Sequence, residues 1–207
     1  MKPWLFDILA CPIDKHFPLE LYIFSFETKS EEFKSIINVY RKRDINYIKQ
    51  EKVIEISREN EEIVLKDNIV MEKSPITTYF KLIIASINEL DHITNKSDLD
   101  ISKNCFNIIH SEIKPKIIEF SKNINPNEIE DLLPELFFIN KIKLEVEIES
   151  GLLLCKNCCR WYPIIETIPQ MLPDEYRDEK KEVEFLQTKR NLLEEDFFNQ
   201  DLKPFNI

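Results

Sequence analysis

The segment LLLCKNCCRWYPIIETIPQMLPDE, residues 152–175, carries three of the five cysteines and three of the eleven prolines of the chain. The leucines predict a short strand that ends at the pair Cys155 and Cys158, and WYPII predicts a further short strand. The prolines disfavour a helix and a central strand, so the sequence after the cysteines is predicted to be extended chain at a sheet edge. The segment therefore favours a small sheet beside a cysteine turn.

The spacing of Cys155 and Cys158 is typical of a zinc knuckle, in which two thiolates after a strand reach one ion. Cys11, in the turn-like segment CPIDKH, supplies a third thiolate. The fourth ligand stays open among Asp14, His16 and Cys159. In a second interpretation the thiols pack as small apolar groups without zinc. In a third they form a redox dithiol, which would require a helix start that lowers a thiol pKa.

Strand-like sequence lies at both ends of the chain. LELYIFSFE has apolar side chains on both faces, which predicts a strand inside a sheet. KIKLEVEIES alternates over Ile142, Leu144, Val146 and Ile148, which predicts a half-buried strand that ends before a turn at Gly151. LLLC is then predicted to be the returning strand of a hairpin.

The middle of the chain is mainly helix-like. Capping residues and apolar periodicity predict helices after Ser30, after Ser74 with Pro75 in its first turn, and after Asn125, and another helix that is kinked or split at Pro115. KVIEIS and EEIVLKDNIVMEK are compatible with short strands or with a helix, and their Val and Ile content favours strands. Cys105 is expected in the core. Near-heptad spacing of apolar residues between positions 183 and 197 predicts a C-terminal helix packed on the protein's own body.

The predicted fold class is α+β, with a zinc-ribbon-like small antiparallel sheet domain built from both termini and an inserted, mainly helical domain. The predicted boundaries are residues 1–28 plus 140–175 for the sheet domain, 29–139 for the helical insertion, and 176–207 for the C-terminal helix and tail. No internal repeat is visible.

Composition narrows the possible functions. The single glycine argues against glycine-rich phosphate or dinucleotide loops, and the net charge of −10 argues against direct nucleic-acid binding. The sequence shows no nucleophile–histidine–carboxylate set and no HExxH motif, so we expect no catalytic function. It shows no signal peptide and no apolar run long enough to span a membrane, so a cytoplasmic location is expected.

Residues 160–175 are apolar for a sheet edge. Aromatic and Met-containing apolar surface is typical of protein interfaces, and an edge strand can pair its backbone with a partner strand. The alternative is a loop that covers the core of one self-sufficient domain. The candidate partner-binding residues are Trp161, Tyr162, Pro163, Ile164, Ile168, Pro169, Met171 and Leu172.

C-P-x-D-K, L-x-C-x-x-C, R-x-Y-P-I and I-P-x-M-L-P-D-E occur in this order. In this combination the chain resembles the small zinc-ribbon subunit that activates S-adenosylmethionine-dependent methyltransferases of the translation machinery. The resemblance covers residues 1–26 and about 142–177. Members of that family commonly have glycine where this chain has Cys159 and Thr167, so the turn at Thr167 either needs no positive φ or is strained.

The resemblance implies a non-catalytic subunit that forms heterodimers with methyltransferases of tRNA, rRNA or a release factor through its edge strand. It implies no S-adenosylmethionine site in this chain, and one zinc ion held by Cys11, Cys155 and Cys158 with a fourth ligand. Some relatives with an aspartate at the position of Asp14 manage without zinc. Two other function classes stay open: a stand-alone zinc-ribbon nucleic-acid-binding protein and a dithiol oxidoreductase.

Overall fold

The computed structural model describes residues 1–59 and 62–206. The helices are α1 (Pro3–Phe6), α2 (Ser30–Lys42), α3 (Ile45–Glu51), α4 (Ile76–Glu89), α5 (Asp100–Ile108), α6 (Lys114–Lys122), α7 (Leu133–Leu144), α8 (Glu179–Thr188) and α9 (Glu195–Phe198). The strands are β1 (Glu20–Phe26), β2 (Glu55–Glu59), β3 (Glu62–Lys66), β4 (Ser74–Pro75), β5 (Ile93–Asn95), β6 (Ile148–Leu154), β7 (Trp161–Ile165) and β8 (Ile168–Pro169). None of the helices in the described ranges has the length and apolar character that crossing a membrane requires.

The chain divides into two units. Unit 1 comprises Met1–Thr28, Asp91–Leu99 and Glu147–Ile207, and unit 2 comprises Lys29–Leu90 and Asp100–Val146. The α+β class is confirmed, with a small sheet next to the cysteines and a mainly helical remainder. Residues 91–99 lie inside the range 29–139 that was predicted as the helical insertion. In the structure they belong to unit 1 and contribute β5 to its sheet.

The sheet of unit 1 has the strand order β5-β1-β6-β7-β8. β1 pairs with β6 in antiparallel and with β5 in parallel, so the sheet is not purely antiparallel. The interior position of β1 confirms the prediction from LELYIFSFE, because Leu21, Ile23 and Phe24 are all buried on its two faces.

The strand predicted for KIKLEVEIES is wrong in its first half. Helix α7 continues to Leu144, and β6 begins only at Ile148. Leu136, Ile139 and Ile142 of α7 are fully buried, and their spacing of three residues is helical. Ile142 therefore fits both the alternating and the helical pattern, and the packing of α7 favours the helix.

Gly151 lies inside β6 and not in a turn, which corrects the hairpin predicted there. A Cβ atom at this position would lie 2.7 Å from the carbonyl oxygen of Tyr22 on the neighbouring strand. The register of β1 against β6 shifts next to this contact, between Ile23 and Ser25. The glycine is thus required by the close approach of two backbones at a β-bulge.

The C-terminal part of unit 1 packs on the sheet, as predicted. Its buried side chains form one apolar cluster with side chains of β1, β6 and β7. The members are Phe24, Leu152, Leu154, Trp161, Leu186, Leu193, Phe197 and Leu202. The predicted single helix is divided into α8 and α9, so its apolar residues reach the sheet from two short helices.

Most of the helices predicted in unit 2 are confirmed, although Ser30 is the first residue of α2 and not its cap, which is Lys29. A π-helical turn at Ile109–Ile113 joins α5 to α6, and Pro115 lies two residues after it, at the place where the predicted helix divides. The side chain of Asn125 accepts a hydrogen bond from the N–H of Asn127, as expected of a cap. Helix α4 begins just after Pro75, while Ser74 belongs to β4. Strands β2 and β3 are confirmed as an antiparallel pair.

Unit 2 contains a buried carboxylate, Glu135, with two cationic partners. Glu135 is 1% exposed, and its carboxylate accepts hydrogen bonds from Arg43 at 2.8 Å and from Lys116 at 2.7 Å. These contacts join α6 and α7 to the end of α2. Removing one partner from such a group is strongly destabilising, so we assign Glu135 a structural role.

Candidate metal centre and sheet edge

The first cysteine turn spans residues 11–16. The N–H of Cys11 donates to the carbonyl of His16 at 3.0 Å, and the N–H of Lys15 donates to the carbonyl of Cys11 at 2.9 Å. Lys15 has a φ of 61°, in the left-handed region. The chain therefore reverses within six residues, and the side chains of Cys11 and Asp14 lie on the inside of the turn.

The second cysteine turn spans residues 155–160 and repeats the same backbone pattern. The N–H of Cys155 donates to the carbonyl of Arg160 at 2.8 Å, and the N–H of Cys159 donates to the carbonyl of Cys155 at 2.9 Å. Cys159 has a φ of 56°, like the residue at the equivalent position of the first turn. Asp14 in the first turn thus occupies the position that Cys158 occupies in the second.

The two turns bring four ligand groups together. One ligand atom from each of Cys11, Asp14, Cys155 and Cys158 lies within 4.8 Å of the other three. The sulfurs of Cys11 and Cys158 are 3.7 Å apart, and the sulfur of Cys155 is 3.6 Å from both carboxylate oxygens of Asp14. A tetrahedral zinc ion with bonds of ~2.3 Å to sulfur places neighbouring sulfurs about 3.8 Å apart. The group therefore fits one metal ion, with three sulfurs and one oxygen.

The geometry favours Asp14 among the three candidates for the fourth ligand. His16 and Cys159 are not part of the convergent group. The side-chain amide of Asn157 donates to Asp14 at 2.8 Å, and the backbone N–H of His16 donates to it at 3.0 Å. These hydrogen bonds lower the pKa of the Asp14 carboxyl, so it is ionised at neutral pH. The sequence analysis predicted no role for Asn157, although an amide inside the C-x-x-C motif is a suitable hydrogen-bond donor to the Asp14 carboxylate.

The surroundings of the thiols argue against the dithiol oxidoreductase. Burial raises the pKa of the Cys155 thiol to about 12, whereas a redox nucleophile requires a lowered thiol pKa. The hydroxyl of Tyr162 lies 3.4 Å from the sulfur of Cys11, and burial raises the pKa of Tyr162 as well. Metal binding at this site would be coupled to the release of thiol protons.

The edge of β7 that faces away from β6 is covered at its Trp161 end by the C-terminal tail, which we define as residues 200–206. The N–H of Trp161 donates to the carbonyl of Lys203 at 3.2 Å, and the N–H of Lys203 donates to the carbonyl of Cys159 at 2.9 Å. The guanidinium of Arg177 donates to the carbonyl of Trp161 at 2.7 Å. These backbone groups of β7 are therefore already paired within the chain.

The same edge is covered at its Ile165 end by β8. Ile165 pairs with Ile168, and the N–H of Gln170 donates to the carbonyl of Pro163 at 2.8 Å. The guanidinium of Arg160 binds the Asp174 carboxylate at 2.9 Å, which holds the segment after β8 against the second turn. The segment from Ile168 to Leu172 is thus the outermost chain on this side of the sheet.

The family model described as Trm112p-like protein matches residues 2–166. The chain belongs to the Trm112p-like protein family. This family is known for activators of methyltransferases, and its members are in general non-catalytic adaptors. No curated protein and no solved structure matched the chain significantly.

In this Trm112p-like protein the predicted partner-binding residues divide into two groups. Trp161, Tyr162, Pro163 and Ile164 are buried in unit 1, so their side chains lie in its core and do not form a surface. Ile168 is 59% exposed and Leu172 is 43% exposed, while Pro169 and Met171 are partly exposed. Only the second group presents apolar side chains to solvent.

The turn between β7 and β8 answers the question raised by the non-glycine residue at Thr167. Glu166 and Thr167 have φ values of 48° and 67°. Two consecutive left-handed residues are the geometry of a two-residue hairpin, and glycine is favoured there because it has no Cβ. The Trm112p-like protein therefore keeps the turn and accepts backbone strain at a β-branched residue.

Proposed function

We propose that this chain is a non-catalytic activating and stabilising subunit of S-adenosylmethionine-dependent methyltransferases that modify tRNA, rRNA or a release factor. The observation that carries the proposal is the exposed apolar segment Ile168–Leu172 at the sheet edge of a Trm112p-like protein. Exposed apolar side chains on an edge strand are suited to strand addition by another polypeptide.

Activation then follows from binding equilibrium. A subunit that binds only the folded methyltransferase stabilises it, by about 4 kcal/mol at a thousandfold excess over the dissociation constant. The segment around Ile168 would cover apolar surface that the enzyme exposes when alone. The chain needs no catalytic group and no S-adenosylmethionine site of its own for this role.

We further propose that the metal is zinc and that its role is structural. Cys11, Asp14, Cys155 and Cys158 would hold it, and they come from turns that are far apart in the sequence. Zinc with four protein ligands and no open position is typical of structural sites. The ion would join the two turns and so fix the strands that begin and end there.

Co-expression tests the proposed function. Each S-adenosylmethionine-dependent methyltransferase of the source organism that acts on tRNA, rRNA or release factor is produced with and without this chain. We expect at least one of them to be soluble and active only as a heterodimer with it. Equal solubility and activity of every such enzyme without the chain would reject the proposal.

A charged substitution on the exposed segment tests the binding surface. We expect Ile168→Asp to reduce heterodimer recovery at least ~tenfold, because a buried aspartate without a partner is costly at an interface. Leu82→Asp is the matched control, since Leu82 is 46% exposed but lies on α4 in unit 2. Equal recovery of the Ile168→Asp variant and the wild-type protein would place the interface elsewhere.

A further inference from the structure

We propose that the β7 edge beside the second cysteine turn is a strand-acceptor site, which the C-terminal tail fills in the free protein and a strand of the methyltransferase fills in the complex. The proposal rests on the proposed function and adds a self-occupied site to it. The tail thereby competes with the partner.

The tail binds the edge as a short strand does. Lys203 forms a parallel β-bridge with Arg160, and its N–H and C=O pair with Cys159 and Trp161. Leu202 is 2% exposed and joins the apolar cluster of unit 1. The indole N–H of Trp161 donates to the carbonyl of Phe205 at 3.1 Å. The site therefore accepts an extended segment with one aliphatic side chain that points inward.

The pairing is short enough to be exchanged. It consists of an isolated bridge at one residue, and the flanking Asp201 and Asn206 are exposed. The family match covers residues 2–166, so the tail lies outside the matched part of the chain. A strand from another polypeptide could take over the same two backbone positions, the Trp161 N–H and the Cys159 carbonyl.

Arg177 supplies a second, independent observation. It is 8% exposed, it binds Glu182, and its guanidinium carbon lies 5.4 Å from the ring centre of Phe205 in the tail. Within the described residues its Nη1 group has no hydrogen-bond partner. A buried donor without an acceptor is costly. An incoming strand with a carbonyl or carboxylate oxygen at this place would satisfy it, which the tail does not.

The site is continuous with the proposed docking segment. The tail and β8 cover the same edge of β7, the tail at Cys159 and Trp161 and β8 at Ile165. A partner strand that contacts Ile168 therefore approaches the tail directly. The kind of partner that fits is an edge strand with an aliphatic side chain at the position of Leu202 and an oxygen acceptor for Arg177.

Amide hydrogen exchange on the full chain, alone and with the methyltransferase identified by co-expression, tests the exchange of strands. In the free protein we expect the amides of Trp161 and Lys203 to be protected. In the complex we expect the Lys203 amide to lose protection at least ~tenfold while the Trp161 amide stays protected by the partner strand. Protection of both amides in a stable complex would overturn the inference and leave the proposed function intact.

Tail release tests the competition. Leu202→Asp should release the tail and tighten methyltransferase binding at least ~fivefold in calorimetry, because the free protein no longer has to vacate its own site. Lys203→Ala is the matched control, since it keeps the backbone pairing and should bind like the wild-type protein. A folded Leu202→Asp variant with unchanged affinity would contradict competition. Failure of every methyltransferase to bind any variant would instead refute the proposed function, and the inference with it.

Discussion

The two cysteine turns of unit 1 have the same backbone and present different candidate ligands. Residues 11–16 and 155–160 make the same pair of backbone hydrogen bonds, and each has a left-handed residue at its fifth position. The fourth position is Asp14 in one turn and Cys158 in the other. The turn geometry therefore does not depend on which side chain it presents, and the ligand can change while the fold is kept.

The difference is relevant to metal selectivity. Thiolates are softer ligands than carboxylates and bind zinc well, whereas a carboxylate also suits harder cations. The carboxylate of Asp14 is oriented by hydrogen bonds from Asn157 and from the N–H of His16. In the proposed zinc site the first turn would therefore be the weaker but well-oriented half.

The largest effect is expected when the second turn loses a thiolate. Cys158→Ser should reduce retained zinc to roughly a tenth of the wild-type amount and lower the free energy of unfolding by about 3 kcal/mol or more, because structural zinc contributes strongly to folding. Cys159→Ser is the matched control next to it and should change stability within ~0.5 kcal/mol. Metal analysis after dialysis and denaturant unfolding measure both. Wild-type zinc content and stability in the Cys158→Ser variant would remove Cys158 from the site.

A smaller effect is expected when the first turn gains a thiolate. Asp14→Cys makes the turns equivalent and should tighten zinc binding about tenfold in competition with a chelator. Asp14→Ser should weaken it about tenfold, because one charged ligand is lost. Equal affinities of the three proteins would show that Asp14 does not bind the ion.

The equivalence of the two turns was within reach of the sequence. CPIDKH and CKNCCR align without a gap, and the alignment places Asp14 opposite Cys158 and Lys15 opposite Cys159. Spacing alone left three candidates open because His16 and Cys159 are close in the chain. The structure separates them, since one ligand atom of Asp14 lies within 4.8 Å of those of Cys11, Cys155 and Cys158, and neither His16 nor Cys159 belongs to that group.

Other parts of the fold depended on tertiary contacts. The alternating pattern around Ile142 is compatible with a strand, and burial of Leu136, Ile139 and Ile142 on α7 made the first half of it helical. The role of Gly151 depends on the Tyr22 carbonyl of a strand more than a hundred residues away in sequence. The position of the tail on the β7 edge depends on one β-bridge at Lys203, which no local sequence pattern predicts. Propensity and periodicity carry no information on such pairings.

The hairpin turn extends the comparison to a third left-handed site. Thr167→Gly should stabilise unit 1 by about 1 kcal/mol, because a β-branched residue at positive φ is strained and glycine is not. Thr167→Ala is the control that keeps a Cβ and should gain less. Thermal or denaturant unfolding measures the difference. A loss of stability in the glycine variant would show that the Thr167 side chain makes a contact that outweighs the strain.

The smallest expected change in stability concerns the left-handed residues of the two cysteine turns. Lys15→Gly and Cys159→Gly remove a Cβ from equivalent left-handed positions, where it costs about 1–2 kcal/mol, and add unfolded-chain entropy of about 0.5–1 kcal/mol. Each should therefore stabilise the protein by about 0.5 kcal/mol, and by the same amount. Lys15→Ala is the control for the loss of the Lys15 side-chain bond to the Pro12 carbonyl. A gain at one turn only would mean that the metal ligands, and not the shared backbone, determine the strain in each turn.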